Sequence, residues 1–135
     1  MRKHLSLIGL IFTLILASCG GADEPTTEID VTMTDFMFQP SQFTVPAGEE
    51  ITVNTRNNGV VIHNFVIMKL GTTAGSTFDE EDEPNVYWRV EMPSGGSTTT
   101  SFTAPAEPGE YEVVCSTQGH IASGMVAKLV VVAGE

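Results

Sequence analysis

The chain has 135 residues and a formal net charge of -11, with 6 Lys and Arg against 17 Asp and Glu. That length allows one domain of ordinary size with a real apolar core and leaves no room for a second. The acidic balance excludes nucleic acid as a partner, because phosphate binding requires a basic surface.

Arg2 and Lys3 precede the apolar run LSLIGLIFTLILA, the charged-then-apolar layout of a secretory signal. The run ends in Leu16-Ala17-Ser18-Cys19, which resembles a bacterial lipoprotein signal. Residues 1–18 are therefore expected to be a signal peptide, with Cys19 the lipid-modified first residue. An uncleaved transmembrane anchor is the alternative, for which the run is short. Either way the domain sits on the extracytoplasmic side of a membrane, in a periplasm or on the outer face of the cell membrane. Cleavage leaves Arg56, Lys69, Arg89 and Lys128 against 17 acidic residues, a mature formal charge of -13. Two Cys in an oxidising compartment would suggest a disulfide between Cys19 and Cys115. Lipidation of Cys19 removes that partner and leaves Cys115 free.

Residues 19–28 are small, polar and Pro-containing, and read as a flexible tether. The nine residues from Gly20 to Glu28 span at most ~30 Å when extended. From residue 29 to residue 135 the pattern is short strands separated by Gly, Pro and Asn, with no helical period. The first strand is expected from Ile29 through Phe36 and Phe38 to Pro40. Others follow at Phe43–Val45, Glu50–Arg56, His63–Met68, Val86–Met92 and Ser97–Thr103. Glu110–Cys115 and Met125–Ala133 complete about eight strands, which fits an all-β fold, a Greek-key antiparallel β-sandwich. Tyr111, just after Pro108-Gly109, has the position of a tyrosine corner, although a core-filling Tyr would look the same.

The chemistry is concentrated in EYEVVCSTQGHIASGM, Glu110 to Met125. Cys115 ends a strand on its inward face. His120 and Met125 follow at intervals of five residues, with Gly119 and Gly124 before them to allow tight backbone geometry. A thiolate, an imidazole and a thioether on one loop suit copper, and the electron-transfer pattern of two His, one Cys and a weak Met needs one more His. His63, in VIHNFVIMK, supplies it. Four protein ligands leave no open position for a substrate, so an enzyme is not expected. A binuclear copper centre is excluded because it needs two Cys in the loop.

On these residues the chain resembles the cupredoxins, small blue (type 1) copper proteins of the plastocyanin, azurin and auracyanin kind. The resemblance runs from about Ile29 to Ala133, through FMFQPSQFTVPAGEEITV, HNFVI and PGEYEVVCSTQGHIASGM. It implies one copper ion held by His63, Cys115, His120 and Met125, cycling between Cu(I) and Cu(II). It further implies that Asn64 bonds near Ser116, and that one edge of His120 forms an electron port within an apolar rim drawn from Val60, Val61, Ile121 and Ala122. The implied function is single-electron transfer by a monomer between a donor and an acceptor redox protein at the membrane surface. Copper storage or delivery with the same ligands is the rival, and a metal-free recognition sandwich is a second. The run Asp79 to Glu83 is either a solvated loop or a docking site for a basic redox partner.

Overall fold

The computed structural model describes residues 23–134. The expected signal peptide and the lipid-modified Cys19 lie outside the described residues. The described residues form nine strands: β1 (Glu28–Thr34), β2 (Met37–Gln39), β3 (Gln42–Pro46), β4 (Glu50–Asn57), β5 (His63–Met68), β6 (Val86–Met92), β7 (Ser97–Thr103), β8 (Gly109–Val114) and β9 (Val126–Val132). One short 3-10 turn, Glu83–Asn85, precedes β6. Within the described part of the expected tether, Thr26 donates its backbone N–H to Thr44 and Thr27 accepts from Thr52, so the chain is attached to the sandwich from Thr26 onward.

The ninth strand arises where one long first strand was expected. Ile29, Val31 and Met33 face the core in one phase of the alternation, whereas Phe38 faces it in the other. A turn at Asp35 and Phe36 absorbs the slip, and β2 folds back antiparallel on β1 with Thr34 opposite Met37. Phe36 takes φ 68° there, in the left-handed region that costs a non-glycine residue about 1–3 kcal/mol.

The strands form a four-stranded sheet, β2-β1-β4-β7, and a five-stranded sheet, β3-β9-β8-β5-β6. The two-layer sandwich matches the expectation, but the sheets are mixed rather than antiparallel. β1 runs parallel to β4, and β3 runs parallel to β9. After the β1–β2 hairpin the chain crosses to the second sheet as β3 and returns to the first as β4. Inward and outward side chains alternate identically in parallel and antiparallel pairs, so strand pattern carries no sign of this.

The core lies between the sheets and centres on Phe65, which receives Phe38 and Phe43 edge-on at 5.5 and 5.4 Å between ring centroids. Such pairs contribute about 0.5–1.5 kcal/mol each beyond burial. Trp88 stacks on Phe102 at 5.0 Å and closes the core between β6 and β7. Every residue of β5 is buried. Phe65 and Ile67 enter the main core, while Val66 and Met68 join Ala74, Val114 and Ile121 in a second cluster on the outer face of the same sheet. Phe78 and Val86 pack against that second cluster. The irregular stretch after β5 therefore folds back over the sheet and brings the acidic run alongside.

Candidate metal centre

His63 opens β5, and Cys115 follows the last residue of β8. These strands are neighbours, with Val66 opposite Val114 and Ile67 opposite Val113, so the register carries both side chains to the same end of the sheet. His120 lies in the turn beyond Cys115, and Met125 immediately precedes β9. His63, Cys115 and Met125 are 0% exposed and His120 is 6% exposed. His63 Nδ1 stands 3.2 Å from His120 Nδ1, and Cys115 Sγ lies 3.4 Å from His120 Nδ1 and 3.8 Å from His63 Nδ1.

The loop between Cys115 and Met125 is built from successive turns. His120 N–H donates to Thr117, Gly124 N–H to Ile121, and Met125 N–H reaches back to the His120 carbonyl at 2.9 Å. Gly119 and Gly124, at φ 83° and 94°, take left-handed conformations immediately before His120 and Met125. The Cys115 N–H donates to the Met125 carbonyl at 3.3 Å, which closes the loop on itself. Three of the four expected ligands thus share one hydrogen-bonded unit.

Asn64 ties that unit to β5. Its backbone N–H donates to Cys115 Sγ at 3.4 Å, and its side-chain amide donates to Thr117 Oγ1 at 3.2 Å. The Thr117 hydroxyl in turn donates to the Ile62 carbonyl. The partner is Thr117, next to Ser116, near which the bond was expected. The role expected of Asn64 is therefore kept, through the Thr117 hydroxyl.

Two neighbours were not anticipated. Asp35 Oδ1 lies 3.1 Å from His63 Nε2, and the same carboxylate accepts the backbone N–H of Val60. The Phe36 ring meets His120 edge-on at 5.2 Å and is itself 47% exposed. Both come from the β1–β2 turn. The one-residue slip of alternation between Met33 and Phe38 was the available signal for that turn. The rim also differs from expectation. Val60 and Val61 are exposed, as is Ile62 beside them, and so is Ala122. Ile121 is instead buried in the outer cluster against Val66 and Met68. The His120 edge is covered by Phe36 rather than open.

The three mutually facing donors fit a metal ion. Bonds of about 2.0 Å to nitrogen and 2.3 Å to sulfur, spread in a plane, would separate N from N by about 3.5 Å and N from S by about 3.8 Å. The observed separations of 3.2 to 3.8 Å match that demand. Burial holds the His120 imidazole below its ordinary pKa; His63 adds to the effect and Asp35 opposes it. A neutral imidazole is the form that ligates. Cys115 is the free cysteine among the described residues, and two imidazoles with one thiolate and a nearby thioether form a set suited to copper.

The sequence profile of the cupredoxin-like domain matches residues 6–131. The chain belongs to the cupredoxin family. Auracyanin-A of Chloroflexus aurantiacus is 29% identical, with 97% of each chain covered. The solved structure of that protein, a "blue" copper protein, covers 78% of this cupredoxin and 99% of its own chain at 26% identity, with a TM-score of 0.57. The reduced auracyanin of Roseiflexus castenholzii superposes with a TM-score of 0.69 at 31% identity, covering 80% of this chain and 98% of that one. The copper-resistant cuproprotein CopI of Rubrivivax gelatinosus is 32% identical, covering 83% of this cupredoxin and 70% of the relative.

Proposed function

We propose that this cupredoxin carries single electrons through one type 1 copper held by His63, Cys115, His120 and Met125. The observation that carries this reading is the buried trio of His63 Nδ1, Cys115 Sγ and His120 Nδ1, all within 4.8 Å of one another, on a cupredoxin sandwich. Bound copper would supply a one-electron couple, Cu(I)/Cu(II), to which a compromise of soft and borderline ligands suits both states. The protein's part is to hold the donors still. The turn-built loop and the Asn64 bridge fix Cys115 and His120 against His63, so little reorganises as charge changes. The Asn64 N–H directed at Cys115 Sγ holds the sulfur in position. The donors are buried, His120 being 6% exposed and the others 0%, and the role read from them is that of a carrier.

Absorption and EPR spectra of the copper-loaded domain test the assignment. An intense thiolate-to-copper band is expected in the oxidised protein and should vanish in Cys115→Ser. Persistence of the band in that variant would sink the ligand set.

The partners are a donor and an acceptor redox protein, with a basic docking face to match the net charge of -11. The domain works at the extracytoplasmic face of a membrane, tethered through lipid on Cys19, a reading supported by the apolar run and the Leu16 to Cys19 motif. Lipid labelling that survives Cys19→Ala would place the anchor elsewhere. Among the described residues no helix is long and apolar enough to cross a membrane.

The likeness to a copper-resistant cuproprotein favours copper storage or delivery as a second reading. The discriminator is retention: a carrier keeps its copper through repeated redox cycles in the presence of a Cu(I) chelator, whereas a donor surrenders it.

A further inference from the structure

We propose that Asp35 is a positioning residue of the metal centre, a carboxylate that fixes the tautomer of His63 and favours the more highly charged state of the bound ion. The proposal rests on His63 being a ligand. A carboxylate oxygen can only accept, so in the neutral ring the 3.1 Å contact between Asp35 Oδ1 and His63 Nε2 places the proton on Nε2 and leaves Nδ1 bare. Nδ1 is the atom that faces Cys115 and His120.

The surroundings hold this pair in place. The Val60 N–H donates to both oxygens of the Asp35 carboxylate, at 3.1 and 3.4 Å. Gly59 packs directly against the pair, where an added Cβ would stand 2.5 Å from Asp35 Oδ1 and 2.6 Å from His63 Nε2. Gly59 is held by its own N–H to Asn57 Oδ1 at 2.8 Å and by the Ser94 hydroxyl on its carbonyl at 2.7 Å. Asn57, wholly buried, donates its amide to the Val61 and Met92 carbonyls. The β4–β5 connection is thereby fastened at four points, in the form that lets a carboxylate reach His63.

A ligating imidazole whose second nitrogen faces a carboxylate is a stronger base than one facing a neutral acceptor, and loss of such a partner typically weakens metal binding 10–100-fold. A negative charge next to the ligand also stabilises Cu(II) more than Cu(I).

Asp35→Asn keeps the shape and an acceptor oxygen while removing the charge. Its copper should shift toward Cu(I) by about tenfold, which raises the one-electron potential by ~59 mV. Asp30→Asn removes an exposed carboxylate from β1, the strand leading into the turn that holds Asp35, where it accepts from Asn54 and does not meet the centre, and should leave the potential unchanged. In the metal-free protein, nitrogen NMR should report a single Nε2–H tautomer for His63, lost in Asp35→Ala. Gly59→Ala should reproduce that loss by forcing the pair apart with the charge still present. An Asp35→Asn potential equal to that of the unaltered protein, or an equal shift in Asp30→Asn, would overturn the proposal. Failure of the ligand reading looks different: His63→Ala would then keep both the copper and the thiolate band.

Discussion

Phe36 stands edge-on over His120, the ring centroids 5.2 Å apart and the planes at 87°. The ring therefore occupies the surface through which the imidazole would otherwise meet a partner. Phe36 does this from a left-handed backbone, a strained conformation for a non-glycine residue. Phe36→Ala should admit water to His120 and lower the reduction potential by roughly 30–60 mV, because the apolar shell sets the local dielectric. Voltammetry of the variant measures the shift. Unaltered potential and unaltered electron-exchange rate would assign Phe36 to packing alone.

Met125 is wholly buried and held by backbone bonds to both Cys115 and His120. As a weak thioether ligand, Met125 would favour Cu(I) relative to a harder oxygen donor. Met125→Gln should lower the potential while leaving the Cys115 band in place. A potential that stays the same or rises would remove Met125 from the ligand set.

The acidic run divides into structural and free charges. Asp82 accepts the Asp79 N–H, Asp79 accepts the Glu81 N–H, and Glu83 pairs with Arg89. Glu80 and Glu81 are exposed, and no such contact engages their carboxylates among the described hydrogen bonds. Glu80→Gln with Glu81→Gln should slow association with a basic redox partner and flatten its salt dependence, because steering acts over a Debye length of ~8 Å at physiological salt. Stopped-flow kinetics across a salt series decides, with a full rate and unchanged slope marking the run as a solvated loop.

The Tyr111 hydroxyl donates to the Glu107 carbonyl at 2.6 Å, as a tyrosine corner requires. Burial, then Glu107 and Tyr87, raise its pKa above the ordinary 10.0. A raised pKa means the folded state keeps a proton that the unfolded chain releases. The resulting stability is present below pH 10 and is lost as pH climbs through the folded value. Tyr111→Phe should cost about 1 kcal/mol at neutral pH and remove that alkaline loss. Urea denaturation at pH 7 and above pH 10 measures both effects.

Much of the centre was legible because chemistry and spacing coincide: few folds need Cys115, His120 and Met125 on one loop with glycines before two of them. The strands were legible from alternation, as at Ile29, Val31 and Met33. What escaped has physical reasons. Parallel pairing leaves no mark on alternation. The turn at Asp35 and Phe36 places a Phe where φ is positive, a position that sequence signals reserve for Gly or Asn. Ile121 follows a ligand and looks like rim, yet the chain from Ala74 to Val86 returns to cover it. A charge placed there would unfold the outer cluster before it could test docking, so Ala122 is the better site for such a probe. Thr117 and Ser116 are both hydroxyls, and only the turn geometry selects between them.

The parallel pairing of β3 with β9 sets an order of events. During synthesis Asp35 and His63 emerge early, while Cys115, His120 and Met125 emerge only near the end, and β3 waits for a strand more than eighty residues further on. Pairings of such long range form late in folding. Of the groups that meet at this centre, the earlier part of the chain supplies only the His63 imidazole and the Asp35 carboxylate, a borderline donor and a hard one. The soft donors that discriminate for copper arrive together with the strand that closes the sandwich, so selectivity for the metal is acquired at the moment of folding and not before.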